Sequence, residues 1–216
     1  MQVIEGQVLI SPSDITAAAA CEFAWLRSLD LRLGRIDALP DEADPLMDRA
    51  AELGLLHEQR HLDSLIALHG PAGVVTIDSP GGDLVALAEA CDATLGALKA
   101  QTPVVYQAAL RDGDLRGFAD FLVLDEDGRY MVQDSKLARS AKVPALLQIA
   151  AYADILQAHG IPVANLGVRV LGNGQETVHD LSTVIPVYRA RRQVLTQLLT
   201  DHLADSEAVA WGDVPA

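Results

Sequence analysis

The stretch GFADFLVLDEDGRYMVQDSK, residues 117–136, decides the fold class, because it contains two apolar runs separated by a turn sequence. The first run carries one carboxylate, Asp120, and the second run ends in Asp134-Ser135-Lys136. Between them, Asp127-Gly128 is typical of a tight turn that joins two antiparallel strands. The stretch therefore predicts a β-hairpin that holds two acids and a lysine within apolar strands, where charge is energetically costly.

The register of the predicted hairpin brings the two acids together. If residues 126–128 form the loop, residues 125 and 129 pair, and Asp120 then lies opposite Asp134. Directly opposed residues have Cβ atoms about 5 Å apart, and like charges there are destabilising. Lys136 shares a strand face with Asp134, because side chains alternate along a strand. A divalent cation would remove the repulsion, since carboxylates and substrate phosphates hold ions such as Mg²⁺. The alternative is that Asp134 faces solvent at a strand end and pairs only with Lys136.

The rest of the chain alternates between helical and strand patterns. Capping residues and periodicity predict helices at 11–29, 45–69, 83–100, 144–159 and 184–203, and strands at 103–110, 115–124, 129–136, 164–171 and 176–181. We therefore expect an α/β fold with a central mixed sheet, in which a three-stranded antiparallel meander is flanked by helices on both faces. We expect a single domain over residues 1–216 with a motif-bearing core at about 45–181. The helices at 11–29 and 184–203 would pack on this core.

Composition limits the class of protein. The chain has 216 residues, half of them hydrophobic, which suits one domain with a substantial core. It shows neither a membrane-spanning apolar stretch nor the features of a signal peptide, and its two cysteines do not make a disulfide framework. We therefore expect a cytoplasmic protein without a membrane partner. The formal net charge of −14 argues against indiscriminate binding of polyanions.

Two helices add further polar residues to the predicted hairpin. The helix at 45–69 carries Gly54 and His57 in a Gly-x-x-His pattern, and the helix after Lys136 carries Gln148 and Tyr152 one turn apart. His57 alone is often a surface or hydrogen-bonded histidine. With His61, four residues on, it could also suggest a zinc pair.

Four motifs in order resemble a known family. Gly54–His57, Gly117–Asp120, Asp134–Lys136 and Gln148–Tyr152 follow the arrangement of RecB-type nucleases, which belong to the PD-(D/E)xK, restriction-endonuclease-like superfamily. The resemblance covers roughly residues 11–160, and it is the order of the motifs that is specific, since each motif alone is common.

The resemblance implies a metal-dependent nuclease that hydrolyses DNA phosphodiester bonds, as an exonuclease in DNA repair or processing. Mg²⁺ or Mn²⁺ would be the cofactor, and the partners would be single-stranded or end-containing DNA and a helicase module. The implied metal ligands are His57, Asp120, Asp134 and the backbone carbonyl of Ser135. Lys136 would position or activate water, and Gln148 and Tyr152 would contact the nucleic acid or support the site.

Cys21 lies where many RecB-like nucleases have the first cysteine of an iron–sulfur cluster. The other three cysteines follow the nuclease core in those proteins, and this sequence has none after Cys91. We therefore expect no cluster, unless these residues are part of a longer protein that carries the remaining cysteines. Otherwise Cys21 is predicted to be a small buried residue of the first helix.

Two other functions remain compatible with the sequence. One is a catalytically inactive RecB-like module that binds partners within a larger nucleic-acid machine, although the intact acids and lysine argue against it. The other is a metal-dependent hydrolase of small phosphorylated substrates. Assays with Mg²⁺ or Mn²⁺ on single- and double-stranded DNA would separate these functions from a nuclease.

Overall fold

The computed structural model describes residues 1–38, 44–137 and 143–213. The α-helices within these ranges are α1 (Pro12–Ala20), α2 (Glu22–Arg32), α3 (Pro45–His69), α4 (Leu84–Lys99), α5 (Val143–Ala158) and α6 (Leu181–Ala204). The strands in the same ranges are β1 (Gln2–Ile4), β2 (Gln7–Leu9), β3 (Val74–Thr76), β4 (Val104–Asp112), β5 (Leu115–Leu124), β6 (Tyr130–Lys136), β7 (Leu166–Leu171) and β8 (Glu176–Asp180). A short 3₁₀ helix at Pro71–Gly73 leads into β3.

The central sheet has six strands in the order β3-β4-β5-β6-β7-β8. Strands β4, β5 and β6 form the predicted antiparallel meander. Strand β3 pairs in parallel with β4, β7 pairs in parallel with β6, and β8 is antiparallel to β7 at the other edge. Strands β1 and β2 form a separate hairpin that sequence analysis did not predict. The predicted α/β class with a central mixed sheet is confirmed.

The predicted register of the β5–β6 hairpin is confirmed as well. Leu124 pairs with Tyr130 and Phe121 with Gln133. The turn is closed by the N–H of Asp125, which donates to the carbonyl of Arg129 at 2.8 Å. The same register, continued by one residue, places Asp120 across from Asp134.

Helices cover both faces of the sheet, as predicted. On one face, Leu62 and Leu65 of α3 pack against Phe121 of β5. Leu122, the next residue, packs in the main core together with apolar residues of α5, because side chains alternate across a strand. Half of the residues of α5 are buried, which explains why this helix is apolar nearly all round. None of the helices in the described ranges is long and apolar enough to cross a bilayer.

The predicted first helix, 11–29, is in fact two helices. The chain is extended at Cys21, with φ −162° and ψ 106°, so that α1 ends at Ala20 and α2 begins at Glu22. This break lets Trp25 of α2 turn back onto α1, where its indole N–H donates to Asp14 at 3.1 Å. Trp25 is thereby buried with its polar group satisfied. A run of helix-forming residues gave no sign of this break.

Part of the acidic excess has a structural role at helix N-termini. The side chains of Asp44, Asp83 and Asp180 accept backbone N–H groups in the first turns of α3, α4 and α6. A carboxylate at this position is favoured by the helix dipole and by the unpaired N–H groups of the first turn. These charges stabilise the fold and are not elements of the candidate site.

Candidate active site

The ends of β5 and β6 bring two buried carboxylates and a lysine together. Asp120 is 8 % exposed and Asp134 is 1 % exposed. A carboxylate oxygen of Asp120 accepts the backbone N–H of Ser135 at 2.8 Å, which ties the two strands together at this point. Lys136 is half exposed, and its Nζ lies 3.5 Å from Oδ1 of Asp134. The alternative in which Asp134 faces solvent is therefore wrong.

A second cation, which sequence analysis missed, lies against Asp134. Arg169 is directly opposite Asp134 in the β6–β7 pairing, and its guanidinium forms an ion pair with Oδ2 of that acid. Its side chain is 2 % exposed. A signal was present, because Arg169 is the one charged residue in the apolar run LGVRVL, residues 166–171. A charged residue in a buried strand requires a partner of opposite charge.

The pKa of Asp120 reflects this environment. Burial raises the pKa of the Asp120 carboxyl above its ordinary value of 3.8, and the charge of Glu58 acts in the same direction. The positive charges of Lys136 and Arg169 and the hydrogen bond from Ser135 partly oppose that rise. Lys136 and Arg169, the two cations that pair with Asp134, therefore also act on Asp120.

Glu58 is a third acid near the site that sequence analysis did not identify. It follows His57 on α3 and accepts hydrogen bonds from the Tyr106 hydroxyl, at 2.8 Å, and from the Gln107 amide. Gln107 lies on β4 across from Asp120, because its neighbours in β4 pair with the neighbours of Asp120 in β5. Its φ of 56° is a left-handed conformation that is rare for a residue other than glycine. Burial and the bond to Glu58 raise the pKa of Tyr106 to about 12. Backbone strain such as that of Gln107 persists only where the surroundings fix it, and it is frequent at functional sites.

The two histidines of α3 are placed differently from a zinc pair. Residues 57–61 read His-Glu-Gln-Arg-His, which matches the H-E-x-x-H spacing of zinc proteases. The buried His57, however, has its Nε2 at 3.4 Å from the carbonyl of Val170. His61 bonds to Gln133 at 2.9 Å and stacks edge-on against Phe121. Both rings are thus engaged by the sheet, and Glu58 points to Tyr106 instead of to a site between them.

His57 is adjacent to the carboxylates but does not contact them. Val170, which it approaches, pairs with Ser135 in the β6–β7 ladder. His57 also lines a polar cavity of about 350 Å³ that extends to the turn at 172–174. Lys136 and Arg169 line a different cavity, of about 610 Å³. The structure therefore brings Asp120, Asp134 and Lys136 together. His57 lies beside the next residue pair along the β6–β7 ladder.

Gln148 and Tyr152 of α5 border the site from the other side. Gln148 Nε2 donates to the Tyr152 hydroxyl at 3.2 Å, and Gln148 lines the 610 Å³ cavity with Lys136 and Arg169. Burial raises the pKa of Tyr152 well above the ordinary range of a tyrosine. Its ring lies on Gly117, where a Cβ would be only 2.5 Å from Cε1. The glycine of the Gly117–Asp120 motif is therefore required by the tyrosine of the Gln148–Tyr152 motif.

The residues present fit a hard divalent cation. Oδ1 of Asp134 is buried and accepts no hydrogen bond, and its ion-pair partner is Lys136, whose Nζ lies 3.5 Å away. Asp120 supplies a second carboxylate, and Mg²⁺ and Mn²⁺ prefer such oxygen ligands. In the described ranges, no three histidine, cysteine, aspartate or glutamate side chains are arranged to hold a metal ion as they stand. In the structure, the guanidinium of Arg169 contacts Asp134 and balances its negative charge.

The cysteines do not fit an iron–sulfur cluster. Cys21 was predicted to be buried within the first helix, and this is wrong: it is partly exposed, and its Sγ accepts the N–H of Ala24 at 3.4 Å to cap α2. Cys91 is the other thiol of the sequence and lies on α4. Four thiolates are needed for the cluster type in question, and two cannot supply them.

One comparison with known proteins identifies the family of this chain. The sequence model of the PD-(D/E)XK nuclease superfamily matches residues 9–215. Among solved structures, one titled "Crystal structure of SSO0001" is similar at 15 % sequence identity, over 88 % of this chain and 89 % of that chain, with a TM-score of 0.27. A comparison with curated proteins gave no match. The superfamily model matches nearly the full length of the sequence, and this chain belongs to the PD-(D/E)XK nuclease superfamily.

Proposed function

We propose that this protein is a metal-dependent nuclease of the RecB-like type that hydrolyses DNA phosphodiester bonds. Membership of a superfamily that generally comprises phosphodiesterase nucleases supports the reaction class. The observation that carries the proposal is the patch formed by Asp120, Asp134 and Lys136, in which two buried carboxylates lie beside a half-exposed lysine. A divalent cation there would polarise the scissile phosphate and lower the pKa of a bound water.

Asp120 and Asp134 are the residues that would hold Mg²⁺ or Mn²⁺. The carboxyl of Asp120 must give up its proton to serve as a ligand, because only the carboxylate donates strongly to a cation. The Ser135 N–H orients one oxygen of Asp120 and leaves the other available. The RecB resemblance adds His57 and the Ser135 carbonyl to this ligand set.

Lys136 is the residue that would act on the attacking water. Its Nζ lies near Asp134 and its side chain reaches the 610 Å³ cavity, so it borders both the acids and the open space in which substrate can lie. The ammonium of Lys136 can orient a water and stabilise charge that develops on the phosphate, and the deprotonated amine can accept the proton of that water.

Gln148 and Tyr152 support the site from α5 and would contact the nucleic acid. The amide of Gln148 faces the cavity, while the buried hydroxyl of Tyr152 holds that amide in place. The cavity also contains the cations Lys136 and Arg169. A local cationic wall of this kind can bind a phosphate even though the protein as a whole is acidic.

Several finer properties rest on the RecB resemblance. We infer an exonuclease that acts on single-stranded or end-containing DNA in repair or processing, with a helicase module as partner and a cytoplasmic location. We also keep a single domain over residues 1–216 as a proposal.

The experiment is a cleavage assay with linear and circular DNA, single- and double-stranded, and with RNA, in Mg²⁺, in Mn²⁺ and in EDTA. The proposal expects cleavage of DNA that needs a divalent cation and that Asp120→Asn and Asp134→Asn abolish. Lys99→Ala is the control, because Lys99 lies at the exposed end of α4. Preference for linear over circular DNA would support exonuclease action.

Two outcomes would assign a different function. Hydrolysis of a small phosphate ester with no cleavage of any nucleic acid would favour the hydrolase of small phosphorylated substrates. Absence of both activities, in protein that is folded and binds Mn²⁺, would favour the inactive interaction module.

A further inference from the structure

The role of Arg169 is not explained by the nuclease motifs. Arg169 lies on β7, two residues before the last pair of the β6–β7 ladder, and it pairs directly with Asp134. Its guanidinium is almost completely buried and forms an ion pair with one oxygen of Asp134, a carboxylate that the proposed reaction requires for a cation. A buried arginine and a divalent cation cannot both be close partners of the same carboxylate without strong repulsion between them.

The ion pair also leaves two buried polar atoms without a hydrogen bond. Nε of Arg169 is buried and has no hydrogen-bond partner, and Oδ1 of Asp134 accepts no hydrogen bond, although Lys136 Nζ lies 3.5 Å from it. A buried ion pair that stabilises a fold normally satisfies its remaining donors and acceptors. Arg169 also lines the 610 Å³ cavity beside Lys136 and Gln148, so its side chain has space on the side away from Asp134.

We propose that Arg169 is an exchangeable counter-ion. It neutralises Asp134 when no cation is bound, and it turns into the cavity to bind a phosphate of the nucleic acid when a divalent cation takes Asp134. A guanidinium suits both partners, because its planar fork matches carboxylate and phosphate geometry. The exchange keeps the buried carboxylates neutralised in both states. This inference rests on the proposed nuclease function.

The first test is Mn²⁺ binding, measured by calorimetry and by the rise in melting temperature. Arg169→Gln removes the competing charge, so its Mn²⁺ affinity is expected to exceed that of the wild type by about tenfold. Its melting temperature is expected to fall without metal and to recover when Mn²⁺ is added. The control is Arg35→Gln, because Arg35 also pairs with a fully buried carboxylate, Asp30. Arg35→Gln should lower stability and leave the Mn²⁺ affinity unchanged.

The second variant protects the test against misfolding. Arg169→Lys keeps the charge but loses the fork, so it should hold Asp134 less firmly and give a Mn²⁺ affinity between those of the wild type and Arg169→Gln. If both variants bind Mn²⁺ no more tightly than the wild type, the exchange is refuted while the proposed function stands. If the wild type binds no divalent cation, the proposed function and this inference both fail.

The phosphate partner is tested with a short oligo-thymidylate in the Lys136→Ala background, which is expected not to cleave it. Fluorescence anisotropy is measured with Mn²⁺ and with EDTA. Adding Arg169→Gln should weaken oligonucleotide binding about tenfold in Mn²⁺ and have little effect in EDTA, where Asp134 holds the arginine. Equal losses in both conditions, or no loss, would show that Arg169 does not exchange onto a phosphate.

Discussion

Gly117→Ala tests the contact between β5 and α5 that joins two of the four motifs. An ideal Cβ at residue 117 lies 2.5 Å from Cε1 and 3.0 Å from the hydroxyl oxygen of Tyr152. Real Cβ atoms do not approach other atoms at 2.5 Å, and the ring cannot move freely because Tyr152 is only 4 % exposed. The substitution must therefore displace the ring or the strand.

The magnitude follows from two opposing effects. Overpacking of a core typically costs about 1–3 kcal/mol. Gly117 does not have a positive φ, so alanine restricts the unfolded chain at no backbone cost and returns about 0.4–1 kcal/mol. The net loss of about 1–2 kcal/mol corresponds to a melting temperature lower by about 2–8 °C for a chain of this size. The displaced Tyr152 would also release Gln148, so cleavage should fall.

The assay is thermal unfolding followed by circular dichroism, with Gly96→Ala as the matched control. Gly96 lies within α4, and a Cβ there meets nothing within 4 Å. Its replacement by alanine should stabilise by about 0.5–1 kcal/mol. A double-mutant cycle with Tyr152→Leu should show coupling of about 0.5–3 kcal/mol. The reasoning is refuted if Gly117→Ala is as well tolerated as Gly96→Ala, or if the cycle shows no coupling.

Three further predictions follow from the titratable groups. Because the pKa of Asp120 is raised, its contribution to stability is complete below the ordinary value of 3.8 and is lost as the pH rises through the folded-state pKa. Asp120→Asn should therefore gain stability relative to the metal-free wild type as pH increases across that window, measured by urea unfolding; a constant difference would contradict the raised pKa. In the wild type, Mn²⁺ affinity should rise with pH over the same window with release of a proton, which calorimetry in buffers of different ionisation heat would measure. Melting curves should show that Asp120→Asn loses most of the melting-temperature rise caused by metal. An equal rise in the mutant would show that Asp120 is not a ligand. Burial raises the pKa of the Cys91 thiol, so Cys91 should be alkylated more slowly than Cys21 in the native protein, as followed by peptide mass spectrometry; equal rates would contradict its burial.

The hairpin was predictable because its information is local. The turn at Asp127-Gly128 and the alternation on either side determine the register, and the pairing of Phe121 with Gln133 confirms it. The helix at 45–69 was predictable from its cap at Asp44 and its stop at Gly70, both set by nearby residues. Local signals of this kind need no knowledge of the tertiary structure.

The features that sequence analysis missed depend on distant partners. Strand β3 is a strand only because Val74–Thr76 pair with β4, about 30 residues later. The break at Cys21 accompanies the bond between Trp25 and Asp14, which lie eleven residues apart. Trp211, although large and apolar, is 81 % exposed, and its ring lies edge-on to Phe23.

The acids of the candidate site were predictable from the sequence, but one of its two cations was not. The motifs named Asp120, Asp134 and Lys136, and the strand pairing brings them together. Sequence analysis identified Lys136 as the cation beside the acids and missed Arg169, which pairs with Asp134. Arg169 comes from β7, whose position next to β6 is set by a parallel crossover through α5. No turn sequence specifies such a pairing.

Lys136→Ala, followed by cleavage kinetics and Mn²⁺ calorimetry on the same protein, tests the central claim most directly. Lys136 acts on water and is not a ligand in this account, so the variant should bind Mn²⁺ with an affinity close to that of the wild type. Its cleavage rate should fall by about 10²–10⁴-fold, the usual contribution of a general acid or base. Equal losses of metal affinity and activity, or cleavage at the wild-type rate, would contradict the account.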